Sequence, residues 1–296
     1  MIEFHADDYG LFPEQSRRIL RCRDNGVLNG ISIMPNSPYL EECLKLLRPH
    51  AEGMAFTVHL NLMEGKAISE PEQIPLLVNQ DGVFSVSFLR LLLISFGRKR
   101  TEYLRQIKNE LLLQIAALQP FLEEQHAALR LDGHAHWHML PVVFDALMEA
   151  IKENQLPVCY IRIPSEPVGL YLRHLFHIFP FHPINLVKTA LLRILARRNC
   201  RRYKREFAEM EKGIFFGVFF SGNFNYRKFC LLLPEAEKLS AQGVHVEFLA
   251  HPGAVYEELD VASLTNRNDV VFLSDTHRND EAEALIQLKD RKYHSL

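Results

Sequence analysis

Ile2-Glu3-Phe4-His5-Ala6-Asp7-Asp8-Tyr9-Gly10-Leu11-Phe12-Pro13 sets a short run of alternating apolar residues before a pair of carboxylates and a proline. Residues 2–6 read as a strand, and Pro13, a favoured first-turn residue, opens a helix that stops near Gly26. That is one βα unit, and the reading repeats down the chain. A strand at 30–34 precedes a helix over 39–47, and a strand at 55–60 precedes a long excursion to about Lys99. Helix 103–124 leads to strand 128–131, and helix 142–154 to strand 158–163. After a helical, basic stretch come strand 214–220, helix 226–241 and strand 244–249, with a weaker run at 270–273 before a final helix. Seven strands rich in β-branched or aromatic residues, separated by helices, predict an α/β fold, a seven-stranded (β/α) barrel as first choice. An open doubly wound sheet is the alternative, but no G-x-G-x-x-G follows the first strand and no phosphate-binding P-loop occurs. With no repeat, low-complexity tract or linker, residues 1–296 read as one domain.

The polar residues of the strands gather at their carboxyl ends. Asp7 and Asp8 end the first, Asn36 follows the second, and His59 and Asn61 sit at the third. Asp132, His134, His136 and His138 end the fourth, Arg162 lies near the end of the fifth, Asn223 follows the sixth, and His251 ends the seventh. In a barrel those ends open on one face, where active sites are built, so scatter in sequence predicts a cluster in space.

Composition narrows the classes. The 296 residues are 48% hydrophobic and 24% charged, enough apolar material for a sizeable core. A net charge of −2 shows no overall basic excess for a polyanion, and no nucleic-acid partner is expected. Five scattered cysteines without a C-x-x-C spacing exclude a disulfide framework and a cysteine zinc site, which fits a reducing cytosol. The start lacks the basic and apolar regions of a secretory signal, and the apolar runs 84–97 and 175–195 are interrupted by charge or proline. A cytoplasmic protein is expected.

Adjacent carboxylates such as Asp7-Asp8 are commonly a solvated turn. At a strand end their side chains point different ways, so one can hold a metal while the other faces the water that the metal activates. In Leu131-Asp132-Gly133-His134-Ala135-His136-Trp137-His138, alternation puts the acid and the three imidazoles on one face only if the strand continues, and Gly133 makes an early turn plausible. Some of the three histidines are therefore ligand candidates, with Asp132 suited to orient an imidazole. His59 and His251 are weak signals singly. Together, one carboxylate, two imidazoles and an open position make a catalytic site for one divalent metal ion, zinc favoured, with magnesium or another divalent ion as alternatives. The remaining histidines, His5 and His245 among them, read as ordinary.

His5-Ala6-Asp7-Asp8-Tyr9-Gly10 resembles the N-A-D-D-[FY]-G opening of the YdjC-like carbohydrate deacetylases, with His5 where that family commonly has Asn. His59-Leu60-Asn61-Leu62, Asp132-Gly133-His134-x-His136-x-His138 and His251-Pro252-Gly253 match its later motifs in order. Within the family, Ile74-Pro75-x-Leu77, Asp81-Gly82-x-Phe84 and Arg162-Ile163-Pro164-x-Glu166-Pro167 look like the HpnK-like branch associated with hopanoid lipid biosynthesis. The resemblance implies a deformed (β/α) barrel and metal-dependent removal of acetyl from an N-acetylated amino sugar. It further implies Asp8, His59 and His134 as ligands, Asp7 as general base and His251 as general acid. Asn36, Asn61, Asp132, His136, His138 and Arg162 remain candidates for substrate contact or support, Arg162 as oxyanion stabiliser or as structural ion pair. Two other readings compete: a two-metal barrel hydrolase such as a phosphoesterase or cyclic amidohydrolase, and a non-catalytic sugar- or lipid-surface-binding barrel.

Residues 188–205 carry Lys188, Arg193, Arg197, Arg198, Arg201, Arg202, Lys204 and Arg205 without one acid. Val187, Ala190, Leu191, Ile194 and Leu195 recur beside them at helical spacing. This is either a helix packed on the barrel with solvated charges, or a basic amphipathic helix giving peripheral membrane association. Arg98-Lys99-Arg100, Arg105 and Lys108 would reinforce the second reading if they lie on the same side.

Overall fold

The computed structural model describes residues 1–173, 182–254, 271 and 274–291. The weak run expected at 270–273 lies outside these apart from Val271, as do His174, His177 and His294. Strands β1 (Ile2–Tyr9), β2 (Gly30–Ile33), β3 (Ala55–Leu60), β4 (Leu129–Gly133), β5 (Val158–Ile161), β6 (Gly213–Phe216) and β7 (His245–Ala250) form one parallel sheet in the order β5-β4-β3-β2-β1-β7-β6. The first and last strands are therefore neighbours, as in a barrel, while β5 and β6 are the sheet's edges: a deformed (β/α) barrel, curled but open on one side.

Helices α1 (Pro13–Asn25), α2 (Leu40–Leu47), α3 (Phe88–Ile94), α4 (Arg100–Glu124), α5 (Pro141–Glu153), α6 (Val168–Arg173), α7 (Pro183–Arg202), α8 (Tyr226–Ala241) and α9 (His277–Arg291) cover the outside. Their starts are encoded locally. Pro13, Pro141 and Pro183 occupy first turns, and the side chains of Ser87 and Asn225 accept the Arg90 and Lys228 amides that open α3 and α8. Among the described residues no helix is long and apolar enough to cross a membrane.

Strand alternation sorts the two faces. On β1, Phe4 turns outward, stacking on Phe248 at 5.5 Å and meeting Phe229 of α8 at 6.1 Å. Glu3, His5 and Asp7 turn into the barrel, where they meet Arg130, Ser32 and Arg162. The helix side is an ordinary apolar core, whereas the barrel interior is ionic.

Several boundaries differ from expectation: β1 runs on to Tyr9 rather than ending at residue 6, and β5 stops at Ile161 rather than residue 163. The strand expected at 214–220 stops at Phe216 because the buried Glu166 carboxylate accepts the Gly217 and Phe219 amides at 2.6 and 2.9 Å, taking them out of the ladder. Glu166, in the loop after β5, thereby ties one sheet edge to the chain leaving the other, and also accepts the Tyr171 hydroxyl at 2.9 Å. The excursion after β3 contains α3, whose seven residues are too few for periodicity to declare. Replacing Glu166 with Ala would orphan two buried amides, at about 1–3 kcal/mol each. Urea unfolding should show a loss of about 3 kcal/mol with metal affinity retained; an unchanged midpoint would mean that the gap is held otherwise.

Candidate metal centre

The centre begins with an irregularity in β1. Its register with β2 shifts between Ala6 and Tyr9, and Asp8 has φ of 65°, a left-handed conformation that costs a non-glycine residue about 1–3 kcal/mol. In a regular strand Asp7 and Asp8 would face opposite sides. Here both are buried at the barrel mouth: His59 Nε2 lies 3.4 Å from Asp8 Oδ1 and 4.0 Å from Asp7 Oδ2.

The histidine-rich stretch turns at Gly133. A Cβ there would stand 2.9 Å from His138 Nδ1 and 3.1 Å from Leu60 O, so a side chain has no room. The chain enters a tight helical turn, His134–Met139, with Ala135 and His136 at φ of 47° and 60°. Strand alternation is lost and the three imidazoles part company. His134 Nδ1 lies 2.9 Å from Asp8 Oδ1; His138 Nε2 donates to Arg162 O at 2.8 Å; His136 packs edge-on against Phe215 at 5.8 Å. Burial lowers the pKa of His136 well below that of a free imidazole and that of His138 to about 4, so both are neutral.

His59 is fixed from behind. Its Nδ1 is 2.7 Å from Asp132 Oδ1, while Asp132 Oδ2 accepts from Ser32 Oγ at 2.5 Å and meets Arg162 Nη1 at 2.6 Å. This sets the ring and leaves Nε2 facing Asp8. Burial alone would depress the His59 pKa, but Asp132 and Asp7 outweigh it and hold it up at about 10. Burial likewise opposes ionisation of Asp8, yet His134, His59 and Arg278 keep its pKa well below the usual carboxylate range.

The atoms fit a divalent cation. One ligand atom each from Asp8, His59 and His134 lie within 4.8 Å of one another, all buried, and Asp8 Oδ2 and His59 Nε2 have no hydrogen-bond partner. Buried polar atoms of this kind are costly unless something pairs them, and an Asp/His/His donor set suits zinc or a similar borderline ion. Glu3–His5–Glu247 and His5–Asp7–Asp132 are also close enough to chelate. Those groups are already met by cations, Arg130 at 2.8 Å from Glu3 and Arg162 at 2.5–2.9 Å from Glu247, Asp132 and Asp7.

Of the other expected residues, Arg162 is wholly buried and contacts both Asp7 oxygens at 2.9 Å, Asp132 and Glu247, the geometry of an ion-pair hub. His251 donates its backbone amide to Glu281 at 2.6 Å, and burial lowers its imidazole to about 4. Asn61 and Asn36 hold the loop after β3: Asn61 Nδ2 donates to Asn36 Oδ1 and Glu64 O, and Asn36 Nδ2 to the Glu64 and Lys66 carbonyls.

Two sets of residues escaped the sequence reading. His5 and His245, read as ordinary, belong to a buried ladder in which Glu3 lies 2.6 Å from His5 Nδ1 and 3.0 Å from His245 Nε2, while Tyr160 donates to Glu247 at 2.5 Å. Its signal was there, since Glu3-His5-Asp7, Arg130-Asp132 and His245-Glu247 repeat charge at period two. Arg278 and Glu281 of α9 are the second set. Arg278 donates to Gly253 O at 3.0 Å and stands 3.7 Å from Asp8 Oδ2; burial lifts the Glu281 carboxyl to about 7. Nothing local distinguishes them from other charges on a terminal helix.

Comparison with known proteins agrees in direction. A family model described as YdjC-like protein matches residues 1–293. The chain is 30% identical over 195 residues to a carbohydrate deacetylase of Thermoanaerobacter pseudethanolicus, covering 64% of this chain and 73% of that one. It is 26% identical to a carbohydrate deacetylase of Danio rerio, covering 55% of this chain and 49% of that one. A counterpart from Geobacillus stearothermophilus is 27% identical, covering 53% and 58%. The chain thus spans about half the length of the last two. A crystal structure from Enterococcus faecalis V583, described as a candidate cellobiose-phosphate cleavage protein, superposes over 99% of this chain and 94% of its own with a TM-score of 0.68 and 19% identity, a likeness of fold.

Proposed function

The chain belongs to the YdjC-like family, and on that premise we propose that it is a metal-dependent carbohydrate N-deacetylase acting on an N-acetylated amino sugar. The observation that carries the reading is the buried Asp8, His59 and His134 cluster beside Asp7 at the barrel mouth. Relatives named carbohydrate deacetylase support the reaction class.

Asp8, His59 and His134 would hold the ion, with Asp132 fixing the His59 ring. When bound, a divalent ion supplies Lewis-acid polarisation of the acetamide carbonyl and lowers the pKa of water toward neutrality. Asp7 takes the proton of the attacking water, while Arg162 fixes the carboxylate through both oxygens. His251 hands a proton to the departing amine; burial keeps its imidazole neutral at rest, so the proton it gives is the one Asp7 has taken from the water, passed on within the turnover. Arg162 acts by positioning, since Asp7, Asp132, Glu247 and Ser32 already surround its guanidinium.

Acetate release from N-acetylglucosamine-bearing glycans and glycolipids, run with zinc, magnesium and other divalent ions, tests the function. The lipid-linked arm addresses the substrate suggested by the likeness to the hopanoid-associated branch. No acetate from any of these substrates would end the deacetylase reading.

Metal analysis of purified protein should give one ion per chain, falling to none in His59→Ala. Two ions per chain would favour a two-metal hydrolase. That reading has little support in the neighbouring carboxylate groups, which Arg130 and Arg162 already neutralise.

A further inference from the structure

The outer faces of α3 and α7 carry apolar side chains that a helix merely packed on a barrel would turn inward. The inner side of α7 is complete: Asn185, Thr189, Leu192, Leu195, Ala196 and Asn199 are buried. Its opposite side nevertheless exposes Leu186, Val187 and Ile194, the last two at 63%. On α3 and the turn after it, Leu89, Leu93 and Phe96 recur at helical spacing with exposures of 62%, 65% and 78%. Single exposed apolar residues are ordinary, but exposed stripes on two helices that both pack on α5 mark an interaction surface.

The two stripes run into basic clusters that meet. Arg98-Lys99-Arg100 follows the first stripe, and Arg197, Arg198, Arg201 and Arg202 follow the second. Arg100 and Arg198 both grip Asp145 Oδ2, at 2.5 and 2.6 Å, and Arg202 reaches Asp145 Oδ1 at 3.3 Å. One buried acid thus joins the clusters and leaves Arg98, Lys99, Arg197 and Arg201 exposed at the surface. The inward sides of the same two helices pack on the turn at the metal centre. Phe88 packs on Trp137 at 5.8 Å, and Asn199 donates to Met139 O at 3.0 Å, both in the turn that begins with His134.

We propose that this face is a peripheral docking surface for an anionic lipid bilayer. The exposed leucines, Phe96, Val187 and Ile194 enter the headgroup region, and the arginines and Lys99 pair with lipid phosphates. Apolar residues flanked by cations fit that partner, because an aqueous polyanion would leave the stripes unburied. The inference stands independently of the reaction catalysed.

Co-sedimentation with vesicles of phosphatidylglycerol and phosphatidylcholine, against phosphatidylcholine alone, tests it at low and high salt. Wild type should sediment with the anionic vesicles at low salt and be released at high salt. Two variants separate the contributions, R197Q/R201Q for charge and L93S/F96S/I194S for the apolar stripes. Arg198 and Arg202 are spared because they pair with Asp145. Each variant should bind about tenfold more weakly or worse, with thermal unfolding and metal content unchanged. Wild type left in the supernatant at low salt, or variants sedimenting like wild type, overturns the proposal. So does a solution dimer that the apolar variant splits, which would assign the face to a second copy of the chain.

Discussion

Asp7→Asn is expected to keep its metal ion and lose about 10²–10⁴-fold in acetate release, the usual worth of a positioned general base. Asparagine retains an acceptor oxygen for Arg162, so the hub at the barrel mouth persists while the proton acceptor disappears. The bidentate contact of Asp7 with Arg162, at 2.9 Å to each oxygen, holds it beside His59. That contact also competes for the lone pairs a base must offer. Metal content and turnover measured on the same preparation separate the two effects. Turnover near wild type would remove Asp7 from the chemistry and pass the base to His251, which burial keeps neutral and so able to accept a proton. Loss of the ion would instead make Asp7 a ligand.

How much of this site could be read in the chain depends on how local each cause is. The seven strands are legible because their apolar runs, β-branched residues and helix-opening prolines act within a few neighbours. The gathering of Asp7, Asp8, His59, His134 and His251 at strand ends follows from topology alone, since every strand of a parallel barrel ends on the same face. What was illegible needs a partner distant in sequence. That His134 rather than His136 or His138 stands beside Asp8 depends on the close approach of Gly133 to Leu60. The joint burial of Asp7 and Asp8 depends on a bulge against β2, which no alternation rule announces. Arg278 enters from α9 only because that helix packs back over the chain after β7. The basic stretch was half legible: its helix is a local fact, but the stripe expected there divides between two sides, Leu195 buried and Val187 and Ile194 exposed, and the acid that answers the charges, Asp145, lies on α5.

Arg162→Met should be the most damaging substitution for stability. The side chain is wholly buried, and its loss leaves Asp7, Asp132 and Glu247 as buried carboxylates without their shared cation. Breaking one buried pair costs about 3–5 kcal/mol, a large part of the roughly 5–15 kcal/mol that holds a domain folded. Failure of the Met variant to fold would be uninformative by itself, so Arg162→Lys is the companion. It keeps one charge but cannot span three carboxylates as the planar guanidinium does, and it should fold with reduced stability and turnover. The sign of the pH dependence identifies the cause. Burial opposes the ionised form of Asp132, and Arg162 and His59 hold its carboxyl well below the usual carboxylate range; with the cation weakened, burial pushes it up past its unfolded value near 4. A group raised in that way contributes stability that is complete below its unfolded pKa and lost as pH rises through the folded one. The deficit of the Lys variant relative to wild type in urea unfolding should therefore be largest at neutral pH and shrink toward pH 4. A deficit independent of pH would show that Arg162 supports the barrel by packing, and that its three carboxylates find their compensation in Ser32, Tyr160 and the two histidines of the ladder.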